Sequence, residues 1–239
     1  MKKLNILNGE ALKEFFRKNY IANGEGIISF NDCLVDGEVH RKIFSEEFFT
    51  IRENFITRNY DVSPEVYKEK SISEIWPLLH RNYEEVALWF DFDMFCQINL
   101  LTILAYLDSI KFYGSVTVNI IKQVFFKCSS ITEIIKDKIE IHSLDHFYDL
   151  YVETLIKKDF EKIQGDVYLD IFKQLPYLRE GIKLYLNYKN PNNDIRNYIN
   201  KIKGKGRQEI LIDLINNLNH FGLGDVQYNK ILDEMGIKT

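Results

Sequence analysis

Two aspartates, Asp91 and Asp93, stand between an apolar run and an apolar-periodic helix in the stretch "VALWFDFDMFCQINLL" at 86–101. Carboxylates are oxygen ligands of the kind that Mg²⁺ prefers, and they also serve as general acids and bases. Asp93 stands where the helix N-cap is expected, and a solvated loop acid would account for Asp91. The sequence therefore leaves two interpretations open, a metal or catalytic site and a capped helix.

Acids, amides and glycines also follow two earlier strand-like segments. The residues concerned are Asn8, Gly9 and Glu10 after the first segment, Asn31, Asp32 and Gly37 after the second, and Gln97 one helical turn beyond Asp93. Because parallel strands end at one edge of a sheet, these side chains are predicted to line a common ligand-binding rim. Tight turns, an Asx turn and a helix-dipole role for Glu10 are the structural alternatives.

Two larger side chains could complete such a rim. Arg52 could neutralise a phosphate or carboxylate, and Trp89 could stack on a base or a sugar. Alternatively, Arg52 is a surface arginine and Trp89 a core aromatic. The sequence alone favours these structural roles.

The elements that must position these residues alternate between strand and helix. Strands are predicted at 3–8, 24–30, 85–90 and 114–121, with helical patterns between them, which is typical of a parallel sheet covered on both faces. From Ser130 onward the spacing predicts helix, and three short helices are predicted at 194–202, 207–219 and 225–234. We therefore expect a Rossmann-like α/β domain over 1–125 and a helical region over 126–239, with a three-helix subdomain from about residue 190.

Composition excludes several classes of protein. A chain of 239 residues with 46% hydrophobic content can fill a core, and a net charge of -4 gives no general attraction to nucleic acid or an anionic membrane. Cys33, Cys96 and Cys128 form no CxxC pair, so neither a disulfide framework nor a thiolate zinc site is predicted. With no apolar run of about 20 residues and no signal-peptide core, a cytoplasmic protein without a membrane partner is expected.

Four segments together resemble a known bacterial family. The segments "LNILNGE", "NDCLVDGEV", "SEEFFTIRENFI" and "EVALWFDFDMFCQINLL" are similar in order and spacing to domain of unknown function 1835, over about residues 3–107. The resemblance implies a polar signature at Asn8, Gly9, Glu10, Leu34, Gly37, Arg52, Trp89, Asp91, Asp93 and Gln97.

The chain also departs from that family's pattern. Glu10 stands where an aspartate is usual, Glu38 replaces a proline, and Asp91 replaces a glutamate, while the family's glycine-rich segment after the fourth strand is absent. The family has no assigned activity, so the resemblance implies a site and no reaction.

The first functional hypothesis is metal-assisted phosphoryl transfer or hydrolysis on a nucleotide or nucleic acid. Asp91, Asp93 and Glu10 would hold Mg²⁺, and Arg52 would neutralise phosphate. The order of acids is similar to the topoisomerase-primase arrangement at the level of topology, although the spacing is longer. No P-loop, GxGxxG motif or nucleophile–base set is present, so ATPase, nicotinamide and covalent hydrolase chemistry are not predicted.

The second hypothesis is a non-catalytic ligand-binding or nucleic-acid-binding regulatory protein. A basic run in a helix-turn-helix-like segment supports it, namely Arg196, Lys201, Lys203, Lys205 and Arg207. The overall negative charge and the lack of interleaved aromatics favour a solvated loop instead. His142 and His146 are spaced like a helical metal pair, but Ser143 is predicted to cap that helix, which favours surface histidines.

Overall fold

The protein is built on a five-stranded sheet. The computed structural model describes residues 2–80, 82–127 and 130–237. The strands are β1 (Lys3–Asn8), β2 (Gly26–Phe30), β3 (Glu85–Asp91), β4 (Ser115–Lys127) and β5 (Ser130–Ile141). They lie in the order β2-β1-β3-β4-β5, with β5 antiparallel to β4 and all other neighbours parallel. The predicted α/β class with a mostly parallel sheet is confirmed.

Twelve α-helices in the described residues cover this sheet and form the C-terminal part. They are α1 (Glu10–Lys18), α2 (Glu46–Asn59), α3 (Pro64–Tyr67), α4 (Ser73–His80), α5 (Met94–Ser109), α6 (Phe147–Tyr151), α7 (Phe160–Ile163), α8 (Leu169–Gln174), α9 (Pro176–Tyr188), α10 (Asp194–Ile202), α11 (Arg207–Asn217) and α12 (Asp225–Glu234). The last three agree closely with the predicted helices.

Strand order places a topological switch point between β1 and β3. From β1 the chain passes outward to β2 and then returns across β1 to form β3 on its other side. The connection that follows β1 therefore runs toward one edge of the sheet, and the connection that follows β3 runs toward the other edge. In open α/β sheets this topological switch point, at the carboxyl ends of the strands, is where ligands bind.

Helix α5 lies at the centre of the molecule. It follows β3 directly, and it is buried almost all round because α6 and α9 pack on it. A helix surrounded by protein needs apolar residues on every side, and "INLLTILA" provides them. One apolar core extends from Leu4 in β1 to Leu232 in α12, so the three C-terminal helices share the core of the sheet.

The prediction of helix from residue 126 is wrong for β5. This strand pairs with β4 from Lys127↔Ser130 to Val116↔Ile141 and extends the sheet beyond the predicted domain boundary at residue 125. A short run such as "ITEIIKDKIEI" fits both the helical period of about 3.6 residues and the strand period of two. Pairing with β4 makes it a strand. Cys128 lies outside the described residues.

Candidate functional site

The ends of β1 and β3 bring three polar side chains together at the switch point. The Nδ2 atom of Asn8, the last residue of β1, lies 3.5 Å from Oδ2 of Asp91, the last residue of β3. The same Nδ2 atom donates to Sγ of Cys96, in the first turn of α5, at 2.8 Å. Asn8 thus bridges a carboxylate and a sulfur atom from two neighbouring elements.

Asp93 belongs to this cluster and also caps α5. Its Oδ1 accepts a hydrogen bond from the main-chain N–H of Cys96 at 2.8 Å, and its Oδ2 accepts one from the Cys96 thiol at 3.1 Å. One donor atom each from Asp91, Asp93 and Cys96 lies within 4.8 Å of the others. Asp93 can therefore both cap α5 and take part in the cluster, because the cap uses only Oδ1 and leaves Oδ2 to face the other side chains.

The charges in this cluster are poorly compensated. Burial and, to a smaller extent, the neighbouring Asp93 together raise the pKa of Asp91 to about 6, against the opposing effect of hydrogen bonds from Asn8 and Cys96. Burial also raises the pKa of Asp93. The pKa of the Cys96 thiol lies well above its usual value because of burial and the two adjacent aspartates. A cation would relieve all three effects, because it favours the negative form of each group.

Gln97 lies beside Asp91 and has an unused acceptor. Its side chain is fully buried, and its Nε2 atom donates to the main-chain O of Asp91 at 2.6 Å. Its Oε1 atom is buried without a hydrogen-bond partner among the described residues. A buried acceptor without a donor is unfavourable by about 1–3 kcal/mol, so this oxygen marks a place where a further donor would be stabilising.

Gly222, which sequence reasoning missed, packs directly on Asp93. Its φ is 66°, and a Cβ atom there would lie 2.1 Å from Oδ1 of Asp93. Only glycine allows the loop before α12 to approach this carboxylate so closely. The "FGLG" stretch contains the signal for a tight turn, but nothing in the sequence shows what the turn contacts.

Arg52 does not reach the cluster, so its predicted role in binding phosphate is wrong. It is fully buried, and its Nε and Nη2 atoms donate to Oδ1 of Asp32 at 3.1 and 2.8 Å. Nη1 donates to the main-chain O atoms of Asp36 and Glu38, and Nη2 to that of Cys33. Five hydrogen bonds use all five N–H groups, so none remains for a ligand.

Asp32 is likewise a structural residue of the loop after β2. Besides Arg52, its carboxylate accepts from the main-chain N–H of Cys33 at 2.7 Å and from the Tyr67 hydroxyl at 3.0 Å. Its main-chain O accepts from Nδ2 of Asn99 in α5 at 2.9 Å. Asp32 is thus neither a free rim acid nor the predicted Asx turn, because its carboxylate accepts from the next residue's N–H and from distant side chains. These contacts tie the loop to α2, α3 and α5.

Glu10 belongs to a different cluster from the two aspartates. Its Oε2 accepts from the Ser29 hydroxyl at 2.9 Å, and its Oε1 lies 3.5 Å from Nζ of buried Lys13, which also pairs with Glu74. Asn31 donates to the same Ser29 hydroxyl at 2.9 Å. In the described part of the chain, the one set of three possible metal ligands within 4.8 Å of one another is Asp91, Asp93 and Cys96, without Glu10, so the prediction that the three acids share one metal is wrong.

The other predicted rim residues serve the fold. Gly9 provides the turn between β1 and α1 at a φ of 85°, and Gly37 has a φ of 76° beside the Phe55 ring. Trp89 packs edge-on against Phe16 under α1, with Nζ of Lys136 lying 3.4 Å from its ring centre. Trp89 is therefore a packing residue on the α1 face of the sheet, which corrects its predicted role in stacking on a ligand.

The basic run is largely neutralised by the chain's own acids. Arg196 pairs with Glu234, and Lys205 pairs with Asp213 at 2.6 Å. Arg207 pairs with Asp233 at 2.7 Å. Such pairing weakens the case for a nucleic-acid site, because contacts with phosphate need free cations.

The predicted histidine pair does not form a metal site. His146 lies 3.3 Å from Asp149, and among the described residues the only set of three potential metal ligands is Asp91, Asp93 and Cys96. The histidine pair at 142 and 146 is thus not part of such a set.

Among the residues that the structure describes, no helix combines the length and the apolar character needed to cross a membrane.

Comparison of the chain with protein-family models gives no match, and neither do comparisons with curated proteins and with solved structures. The resemblance to domain of unknown function 1835 accordingly stays an expectation from the sequence.

Proposed function

We propose that this protein is a divalent-cation-dependent enzyme that hydrolyses, or transfers the phosphoryl group of, a nucleotide or related phosphorylated molecule. The observation that carries the proposal is the convergence of Asp91, Asp93 and Cys96 at the carboxyl ends of β1 and β3. Two partly desolvated carboxylates at a topological switch point are a suitable place for a cation and for the phosphate oxygens that it would bind.

The two carboxylates would act together on the ion. Asp91 and Asp93 would hold a divalent cation, which would supply Lewis-acid polarisation of the phosphoryl oxygens and a more acidic bound water molecule. Attack of that water on phosphorus would break the P–O bond to the leaving group, which would take up a proton from solvent. Gln97 would fix the main chain of Asp91 through its 2.6 Å hydrogen bond. Glu10 and Arg52 have no part in this scheme, so the topoisomerase-primase analogy loses the glutamate on which it depended.

Side chains around the cluster suit a ligand with a planar ring and a negative charge. Phe92, between the two aspartates, is 45% exposed, and its ring lies 5.9 Å from that of Tyr177 in α9. Lys122 follows Ile121, which pairs with Asp91 in the sheet, and its Nζ lies 2.5 Å from Asp137. The exposed Phe92 ring, beside the half-buried Tyr177, offers stacking, and Lys122 offers a cation that a phosphate could draw away from Asp137.

The proposal is tested by assaying the full chain against nucleoside mono-, di- and triphosphates, p-nitrophenyl phosphate and a short labelled oligonucleotide. Each assay is run with chelator, Mg²⁺, Mn²⁺ or Zn²⁺. We expect turnover that requires an ion, is lost in Asp91→Asn and Asp93→Asn, and is retained in the control Glu10→Gln.

Two outcomes would overturn the proposal. Turnover that persists with chelator, or in both aspartate variants, would place the activity elsewhere. Ion binding without turnover of any substrate would favour the alternative of a non-catalytic ligand-binding protein.

A further inference from the structure

We propose that Cys96 is a third ligand of the ion and that its sulfur makes the site select a zinc-class cation over Mg²⁺. This inference rests on the proposed function, since it assumes that Asp91 and Asp93 hold a cation. It changes the expected cofactor, because oxygen ligands alone predict Mg²⁺, whereas a thiolate together with carboxylates suits Zn²⁺ or Co²⁺.

The distances in the cluster fit a tetrahedral zinc site. Zn–S and Zn–O bonds of about 2.3 and 2.1 Å place a sulfur and an oxygen ligand about 3.6 Å apart. Sγ of Cys96 lies 3.1 Å from Oδ2 of Asp93 and 3.9 Å from Oδ2 of Asp91, on either side of that value. Small side-chain rotations would equalise the two distances without moving the backbone of α5.

Asn8 occupies the position from which an ion would contact two of these ligands. Its Nδ2 faces both Sγ of Cys96 and Oδ2 of Asp91, so a weakly positive N–H group already sits between them. Turning the amide by half a turn would present Oδ1 as a fourth ligand. If the amide instead swung aside without binding the ion, three protein ligands would leave one tetrahedral position open, the arrangement of catalytic zinc sites.

Gln97 provides independent support for a ligand at this place. Its fully buried Oε1 has no partner among the described residues, although its Nε2 is fixed on Asp91. A water molecule bound to the ion would donate a hydrogen bond to this acceptor.

Sulfur decides the choice of ion because Mg²⁺ demands octahedral oxygen ligands and loses its water reluctantly. Zn²⁺ and Co²⁺ accept thiolate and four-coordinate geometry. On binding, the Cys96 thiol would release its proton to solvent and the thiolate would form the metal–sulfur bond, so binding would weaken as pH falls.

The experiment is a titration of the metal-free full chain with Co²⁺ alone, followed by Zn²⁺ and, separately, by Mg²⁺. We expect near-ultraviolet thiolate-to-cobalt charge-transfer absorption that saturates at one ion per chain and is abolished by Zn²⁺ but not by excess Mg²⁺. In Cys96→Ser the charge-transfer band should disappear and Zn²⁺ affinity should fall more than about tenfold, because even second-shell losses cost that much. Cys33→Ser is the matched control, since Cys33 is also buried, and it should keep the band.

The outcomes separate this inference from the proposed function. Ion binding without a charge-transfer band, or equal in wild type and Cys96→Ser, would overturn the role of Cys96 and leave a carboxylate site for Mg²⁺. Absence of any ion binding by the folded wild-type chain would overturn both. Should Cys96→Ser fail to fold, alkylation of wild-type Cys96 with and without Zn²⁺, followed by mass spectrometry, gives the same decision: protection by Zn²⁺ supports the ligand role, and equal labelling overturns it.

Discussion

Asp93 binds Cys96 twice: its Oδ1 accepts from the main-chain N–H at 2.8 Å, and its Oδ2 accepts from the thiol at 3.1 Å. The first bond caps α5 and does not require the negative charge, because the neutral side chain of asparagine caps helices about as well as aspartate. The second bond uses the oxygen that an ion would take. Stability and ion binding can therefore be separated at this residue.

Replacing Asp93 by asparagine should retain stability and remove ion binding. Asparagine caps a helix about as well as aspartate, and it removes the repulsion with Asp91. Asp93→Ala should lose about 0.5–2 kcal/mol of unfolding free energy through loss of the cap. Thermal melts with and without Zn²⁺ or Mg²⁺ should show an ion-dependent shift only in the wild type. Equal shifts in wild type and Asp93→Asn would contradict the ligand role.

The buried acid Asp91 should make the ion-free protein less stable as pH rises from about 4 to 6. Its pKa is raised from 3.8 to about 6 in the folded state, so the folded chain binds more protons than the unfolded chain across that window. The free energy of unfolding therefore decreases as pH rises through this window, and the decrease ends above the pKa of the folded state. Urea unfolding of wild type and Asp91→Asn in chelator at pH 4 and pH 7 should show a smaller decrease in the variant. An identical decrease in both proteins would mean that Asp91 is not desolvated.

Gly222 should tolerate alanine far less well than Gly236, although both have positive φ. Gly222 has a φ of 66° and meets the Asp93 carboxylate, whereas Gly236 has a φ of 71° and has nothing within 4 Å of the added Cβ. Gly236→Ala should lower the free energy of unfolding by only about 1–2 kcal/mol, the cost of placing an L-residue in the left-handed conformation. Gly222→Ala should lose more than that and also weaken ion binding, because Asp93 must move. Chemical denaturation and Co²⁺ titration of both variants measure this, and equal losses would show that the loop yields freely.

Arg52 should be essential for stability and not for binding of anions. Lysine keeps the charge but has only three N–H donors, so at least two of the five hydrogen bonds are lost, and each buried acceptor left unpaired costs about 1–3 kcal/mol. Arg52→Lys is therefore expected to unfold at much lower urea concentration, whereas Arg58→Lys, at an exposed position of the same helix α2, should behave like the wild type. A stable Arg52→Lys protein with lower affinity for phosphate would restore the role predicted from the sequence.

Much of the fold could be predicted because its signals are local. The near-continuous apolar run of β3 marks a strand buried on both faces, and Asp93 before an apolar helix marks its start. Parallel strands end on one side, so the proximity of Asn8 and Asp91 also follows once both strands are recognised. Cys96 could have been included by the same reasoning, since the third residue after an N-cap donates its main-chain N–H to the capping side chain.

Tertiary structure alone decided which polar residues share a site. Asp32 follows its strand just as Asp91 does, yet Arg52 and Tyr67 enclose it in a buried ion pair that no local spacing reveals. Glu10 is directed to Ser29 and Lys13, and Gly222 reaches Asp93 from a distant loop. The register of β5 likewise depends on β4. A sequence specifies the chemistry that each strand end carries, but burial and pairing, which arise only when distant segments pack, determine whether a charge is used for the fold or left for a ligand.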